Sequence, residues 1–182
     1  KKFNIPSNDL VKAFDDEGDV IRKNSSIIFL ESGFPDPHYP INNYPFINKY
    51  RQFSSPSPQN YIFLRLADII LLKAEAMNEL GDVSGAAALV NQIRNRAQLG
   101  DTPASNQADM RLAIEKERRL ELAFEGIRWF DLKRTGRAIE VINNAKDENG
   151  QILYNLTENR LVWPVPQAEL DRNNKLVQNP GY

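Results

Sequence analysis

Two helical segments separated by Gly81-Asp82-Val83 constrain this chain more than any other feature. Over 61–80, Leu64, Ala67, Leu71, Ala74 and Met77 or Asn78 recur at three-to-four spacing, which gathers them on one stripe of an α-helix. Gly81 supplies the left-handed residue that stops it. Ser84 is placed to cap a second helix running to about Gln98. Its inward positions are Ala86, Leu89, Val90, Ile93 and Ala97, with Gly100 as the stop. So short a connection forces the second helix back along the first, and 61–99 reads as an antiparallel hairpin.

Ala74 and Ala86 fall where the two helices would cross closely. This pattern resembles a tetratricopeptide repeat, with Ile93 standing where a small residue is usual, and no second copy occurs in the chain. A lone hairpin cannot bury both its faces, so further helices must cover it. One of them lies in 106–136, a helix–break–helix segment. Its first helix, from Asn106 or Gln107 to Glu125, carries the stripe Met110, Ala113, Ile114, Glu117, Leu120 and Phe124. Glu117 in the middle of that stripe needs a cationic partner, because an unpaired buried carboxylate is costly. Arg118, Arg119, Arg128, Arg65 and Arg94 are the candidates. Gly126 breaks the helix, and Arg128–Arg134 is expected to bring Trp129, Phe130 and Leu132 to the core before Gly136.

The flanks are less regular. Ser7 is placed to cap a short helix over DLVKAF. Asp15–Asp19 (DDEGD) lacks the alternating ligands and closing Glu of an EF-hand loop and reads as a solvated turn. Ser26–Leu30 suits a strand, as does Arg160–Trp163, which Pro164 and Pro166 would end. Ala138–Ile142 suits a further turn of helix, and 160–182 an extended C-terminal segment closing on the QNPGY turn. The sequon Asn155-Leu156-Thr157 is too short a match to carry weight.

Between them, 34–60 is rich in Pro and aromatics. Pro35, Pro37, Pro40, Pro45, Pro56 and Pro58 exclude helix and central strand and predict a long irregular loop. Phe34, His38, Tyr39 and Tyr44, with Asn42 and Asn43, have the composition of a sugar site. Aromatic faces cover the C–H faces of sugar rings while amides bind hydroxyls. The same tyrosines would also pin a long loop onto helices, which is the commoner use of any single such residue, and both readings stand.

Several functions are excluded or disfavoured. With no cysteine, thiol catalysis, disulfides and Cys-based zinc sites cannot occur in this chain. His38 is its only histidine, so neither a Ser-His-Asp nor a two-histidine zinc arrangement is available within it. Net charge is −1 with no basic block, which argues against nucleic acid. No apolar run approaches the roughly 20 residues of a membrane span; Ile69–Leu72 is a short patch inside an amphipathic pattern. Glu115, Glu117, Glu121 and Glu125 might suggest a glycosidase carboxylate pair. On one helix among Lys116, Arg118 and Arg119, they read instead as surface and interhelical ion pairs. No cofactor or metal site is expected, and no enzyme.

At RLADIILLKAEAMNELGD (Arg65–Asp82), AALVNQIRNRA (Ala87–Ala97), ERRLELAFEGIRWFDLKRTG (Glu117–Gly136) and PVPQAELDRN with QNPGY at the end, the chain resembles the SusD/RagB family. These are outer-membrane lipoproteins of Bacteroidetes that bind glycans at the cell surface. The resemblance runs from Pro6 to Tyr182, and the chain, 1–182, reads as a C-terminal SusD/RagB-like domain. It implies a mainly α fold: a tetratricopeptide-like hairpin plus further helices, long irregular loops and a few short strands. It also implies a non-catalytic glycan-binding protein on the extracellular face of the outer membrane, partnered by a TonB-dependent, SusC-like importer. The chain opens on Lys1-Lys2-Phe3 and reads as a processed or truncated piece. Membrane attachment would come from an N-terminal lipid anchor absent from this chain. Glycan-contacting residues vary within the family, so none is carried over by motif. A protein–protein interaction module without sugar binding is the alternative that the hairpin alone suggests.

Overall fold

The structure, a computed structural model, describes residues 5–31, 43–51, 60–147 and 150–182. It falls into two compact units, 1–128 and 129–182, so the boundary lies inside the expected helix–break–helix segment. Unlike the sequence expectation for 34–60, part of that stretch is regular.

The first unit is built on three helices. α3 (Leu66–Glu79) and α4 (Val83–Arg96) form the expected hairpin, and α5 (Gln107–Glu121) packs on both. Ala67, Leu71 and Ala74 from α3 meet Ala86, Val90 and Ile93 from α4 and Met110 and Ile114 from α5 in one apolar cluster. Ala74 and Ala86 are fully buried, consistent with a close crossing. Asn78 completes the α3 stripe as a buried polar residue. Its Nδ2 donates to the Gln107 carbonyl (3.0 Å), and Gln107 Nε2 donates to the Asn78 carbonyl (2.7 Å), so α3 is tied to the start of α5.

The ends of these helices differ from the sequence expectation in instructive ways. α3 starts at Leu66, not Tyr61, because Arg65 is extended (φ −150°, ψ 162°) with its side chain committed elsewhere. Leu64 consequently lies outside the stripe and is exposed. Asp82, not Ser84, caps α4 by accepting the Gly85 amide at 2.8 Å. α4 ends before Gly100 is reached: Gln98 takes the left-handed conformation (φ 60°), and Leu99 N closes on the Arg94 carbonyl at 3.0 Å. Gly81 acts as expected, at φ 88°.

α1 (Asn8–Asp16), capped by Ser7 as expected, and α2 (Val20–Ser26) precede a two-stranded antiparallel sheet. β1 (Ile27–Leu30) pairs with β2 (Tyr44–Ile47) in the register Ile27 to Ile47 and Leu30 to Tyr44. Pro45 lies opposite Phe29. A two-stranded sheet is all edge, and there a proline is tolerated. Prolines thus excluded a central strand from 34–60 without excluding this one. Phe14, Ile27, Leu120 and Ala123 form a second apolar cluster. α5 supplies both clusters, with Glu117 between them.

The second unit holds most of α6 (Arg128–Arg134), α7 (Ala138–Asn143), a 3-10 turn (Glu158–Leu161) and α8 (Gln167–Arg172). Leu132 is buried as expected, but Phe130 is 65% exposed and Trp129 only partly covered. The expected strand at Arg160–Trp163 is absent, its first residues being the 3-10 turn. Pro164 and Pro166 remove amides a ladder would need, and side chains of the QNPGY end take over the pairing. Gln178 brackets Val165, accepting its amide (2.7 Å) and donating to its carbonyl (2.9 Å). Asn179 donates to Trp163 O (2.7 Å) and Tyr182 to Val162 O (2.9 Å). Arg160 stacks over the Tyr182 ring, 4.4 Å from its centroid.

Candidate functional site

Of the four aromatic positions proposed from sequence, Phe34, His38 and Tyr39 lie outside the described residues. Tyr44 is placed, and its part in a sugar platform is corrected: it is 1% exposed, beside Phe46 at 5.2 Å between centroids. Its position on β2 turns the ring inward, where it helps pin the strand and offers no face to a ligand.

The structure brings together a different aromatic group that the sequence reading passed over. Tyr50 stacks on Tyr61 (centroids 6.1 Å apart, planes 9° apart), and Phe63 meets Tyr61 edge-on at 5.0 Å. Tyr61 is 52% exposed and Phe63 84% exposed, on extended chain leading into α3. The Tyr61 hydroxyl donates to the Glu125 carbonyl at 2.9 Å, which fixes the ring against the turn after α5. Gly126 makes that contact feasible. Its φ is 78°, and a Cβ there would stand 2.7 Å from the Tyr61 oxygen. The available signal was the alternation Tyr61-Ile62-Phe63, obscured by reading the helix as starting at Tyr61.

Beneath this group, Glu117, Glu121 and Glu125 follow one another at four-residue spacing from the apolar stripe of α5 into the turn beyond it. All three are buried, which corrects the surface part of the ion-pair expectation and bears out the interhelical part. Glu117 Oε1 accepts from Arg22 Nη1 at 2.5 Å and Oε2 from Arg94 Nη1 at 3.3 Å. Arg94 was among the candidate partners; Arg22, on a helix the sequence did not reveal, was not. The other candidates serve elsewhere: Arg118 on Asp68, Arg119 on Asp9, Arg128 on Glu115 and Arg65 on Glu121 and Glu125. Arg22 Nε also binds Asp19 at 2.5 Å. Asp19, expected in a solvated turn, is therefore a buried N-cap of α2 that orients this arginine.

Arg65 grips Glu125 with two bonds of 2.8 Å and Glu121 Oε1 at 2.5 Å, and its Nη2 also donates to the Glu121 carbonyl at 2.6 Å. Lys49 donates to the carbonyls of Glu121 (2.8 Å) and Ala123 (3.0 Å) and pairs with Glu125. Two cations thus satisfy carbonyls at the end of α5, where unpaired acceptors and the negative helix terminus meet. Burial alone would raise the Glu121 carboxyl, but Arg96 and Arg65 outweigh it and hold it below the ordinary value. At Glu125 burial is likewise overcome, by Arg65 and Lys49. The Glu117 and Arg22 pKa values both rise, for different reasons. Burial dominates at Glu117 and pushes its carboxyl up, whereas at Arg22 the burial effect yields to Glu117 and Asp19, which favour its charge. Among the described residues no group of three or more His, Cys, Asp or Glu could hold a metal ion. No helix among them is long and apolar enough to cross a membrane.

The SusD family sequence pattern matches residues 17–182. This chain belongs to the SusD family. The SusD-like protein P38 of Formosa agariphila is 42% identical over 148 residues, covering 75% of this chain and 28% of that protein. SusD-like protein P2 of the same organism is 36% identical over 159 residues, covering 77% of this chain and 31% of that protein. The chain therefore spans about a third or less of these curated relatives. Among solved structures, a laminarin-binding SusD-like protein superposes with a TM-score of 0.69 at 30% identity, covering 98% of this chain and 38% of its own. Surface glycan-binding protein A from Bacteroides uniformis gives a TM-score of 0.69 at 26% identity, over 87% of this chain and 37% of its own. The mainly helical SusD-type fold read from the sequence is the observed one.

Proposed function

We propose that this protein is a non-catalytic glycan-binding component on the extracellular face of a bacterial outer membrane, acting with a TonB-dependent, SusC-like importer. The observation that carries the reading is the exposed Tyr61–Phe63 pair, braced by Tyr50 and anchored to Glu125, on a SusD-family scaffold. Exposed aromatic faces held rigid lose little entropy on binding and cover sugar C–H surfaces well. The naming of two structural relatives for laminarin and surface-glycan binding supports the ligand class. Phe34, His38 and Tyr39 join this proposal on their aromatic and polar chemistry alone. The non-catalytic part rests on the glutamates: Arg65, Arg96 and Lys49 hold the Glu121 and Glu125 carboxyls below the ordinary value, the opposite of what a general acid needs, and Glu117 is enclosed between Arg22 and Arg94.

Native affinity electrophoresis in gels containing laminarin or starch tests the reading. Retention is expected, weakened about tenfold by Tyr61→Ala, Phe63→Ala or Tyr39→Ala, a loss of about 1.4 kcal/mol. Absence of retention across a broad glycan panel would overturn it. A protein-interaction role without sugar is favoured by one observation, the exposed Leu66, Ile69 and Leu72 on α3. It predicts sugar-independent co-purification with a partner, abolished by charged replacements at those three positions.

A further inference from the structure

The three rings of the exposed aromatic group sit on two separate chain segments, Tyr50 on one and Tyr61 with Phe63 on the other. Among the described residues, no backbone-to-backbone hydrogen bond holds 61–64 in place. Their alignment is therefore left to side chains, and Glu125 meets both segments. It pairs with Lys49, next to Tyr50, and accepts two bonds of 2.8 Å from Arg65, just beyond Phe63. Its carbonyl takes the Tyr61 hydroxyl at 2.9 Å. Glu121 also meets both cations, Arg65 through its carboxylate (2.5 Å) and Lys49 through its carbonyl (2.8 Å), but Glu125 holds a ring as well. Glu125 is 3% exposed, which keeps it out of reach of anything bound on the rings.

We propose that Glu125 is the positioning residue of this aromatic group: by holding Lys49 and Arg65 at once, it sets Tyr50, Tyr61 and Phe63 in the arrangement that binds a glycan, without touching the glycan itself. A carboxylate suits the task. Its two oxygens match the guanidinium fork of Arg65, and its charge holds the Lys49 ammonium. Rings aligned beforehand lose less freedom when a sugar settles on them. A glutamine would keep the size of the side chain but lose the charge and turn an amide donor toward one of the cations. That the group binds glycans rests on the reading above; that Glu125 aligns the rings does not.

Two measurements on Glu125→Gln test it: nuclear Overhauser contacts among the Tyr50, Tyr61 and Phe63 rings, and retention in a laminarin or starch gel. The variant is expected to keep its helical circular dichroism, lose the Tyr50–Tyr61 contact and bind the glycan about fivefold more weakly. Glu79→Gln, at the exposed pair with Arg111, should change neither. A role in stability alone would lower the melting temperature and leave the ring contacts of the folded protein intact. If Glu125→Gln fails to fold, Lys49→Gln decides; it frees the Tyr50 segment alone and should show the same two losses. Ring contacts kept in the folded variant, or retention unchanged once they are lost, would overturn the proposal and leave the glycan reading standing. If the unaltered protein is retained on no glycan gel, the glycan reading falls, and the ring contacts alone decide whether Glu125 aligns the group.

Discussion

Glu117 occupies a helix position that packing reserves for an apolar side chain, and two arginines from different helices make it tolerable. Arg22 comes from α2 and Arg94 from α4, so a single carboxylate ties three helices where the two apolar clusters meet. Removing one member of such a buried set strands the others, at a cost of about 3–5 kcal/mol. Glu117→Ala is therefore expected to lose that much in urea unfolding, with Glu117→Gln losing less because it retains hydrogen bonding. If Glu117→Ala kept its stability and lost only glycan binding, the structural role would be wrong. The need for a cationic partner was legible in the sequence, because the stripe was periodic and Glu117 fell on it. Arg22 was not, since it lies 95 residues away on a helix of seven residues, too short to show a period.

Among the elements, the turn after α5 shows how local chemistry and a long-range contact share one position. α5 ends at Glu121, short of the expected Glu125, so Gly126 does not stop the helix; it takes φ 78° in the turn beyond and leaves room for the Tyr61 hydroxyl. Gly126→Ala should cost about 1–3 kcal/mol through strain and overpacking. Combining it with Tyr61→Phe should recover part of that loss, because the clash is with the hydroxyl; a double-mutant cycle by thermal denaturation measures the coupling. In the hairpin, Leu71 is fully buried in the α3–α4–α5 cluster, and Leu71→Ala should lose about 2–5 kcal/mol in the same assay. The hairpin was readable because long helices repeat their pattern. β2 was not, because its four residues include a proline and gain their order from pairing with β1.

At the scale of the whole molecule, the acid groups set how stability responds to pH. Burial raises the carboxyls of Glu17, Glu121 and Glu125, but their cations prevail and hold all three below the ordinary 4.5. Groups lowered in the folded state bind fewer protons than the unfolded chain does. Their stabilisation is thus full above about 4.5 and is lost as pH falls through their folded values. Glu117, raised by burial, acts oppositely and above 4.5, where protonation favours the fold. The melting temperature should therefore hold or rise slightly from pH 7 to about 5 and fall steeply below about 4.5. A melting temperature flat down to pH 3 would contradict this arrangement of charges. The sequence alone determined the helical class, the hairpin, the stripe of α5 and the family. Each follows from periodic or contiguous patterns that local chain geometry turns directly into structure. Only the tertiary structure decided which arginine meets which glutamate, and that Tyr44 turns inward while Tyr61 and Phe63 face out. Those outcomes depend on side chains distant in sequence meeting in space, and no local pattern encodes where they meet.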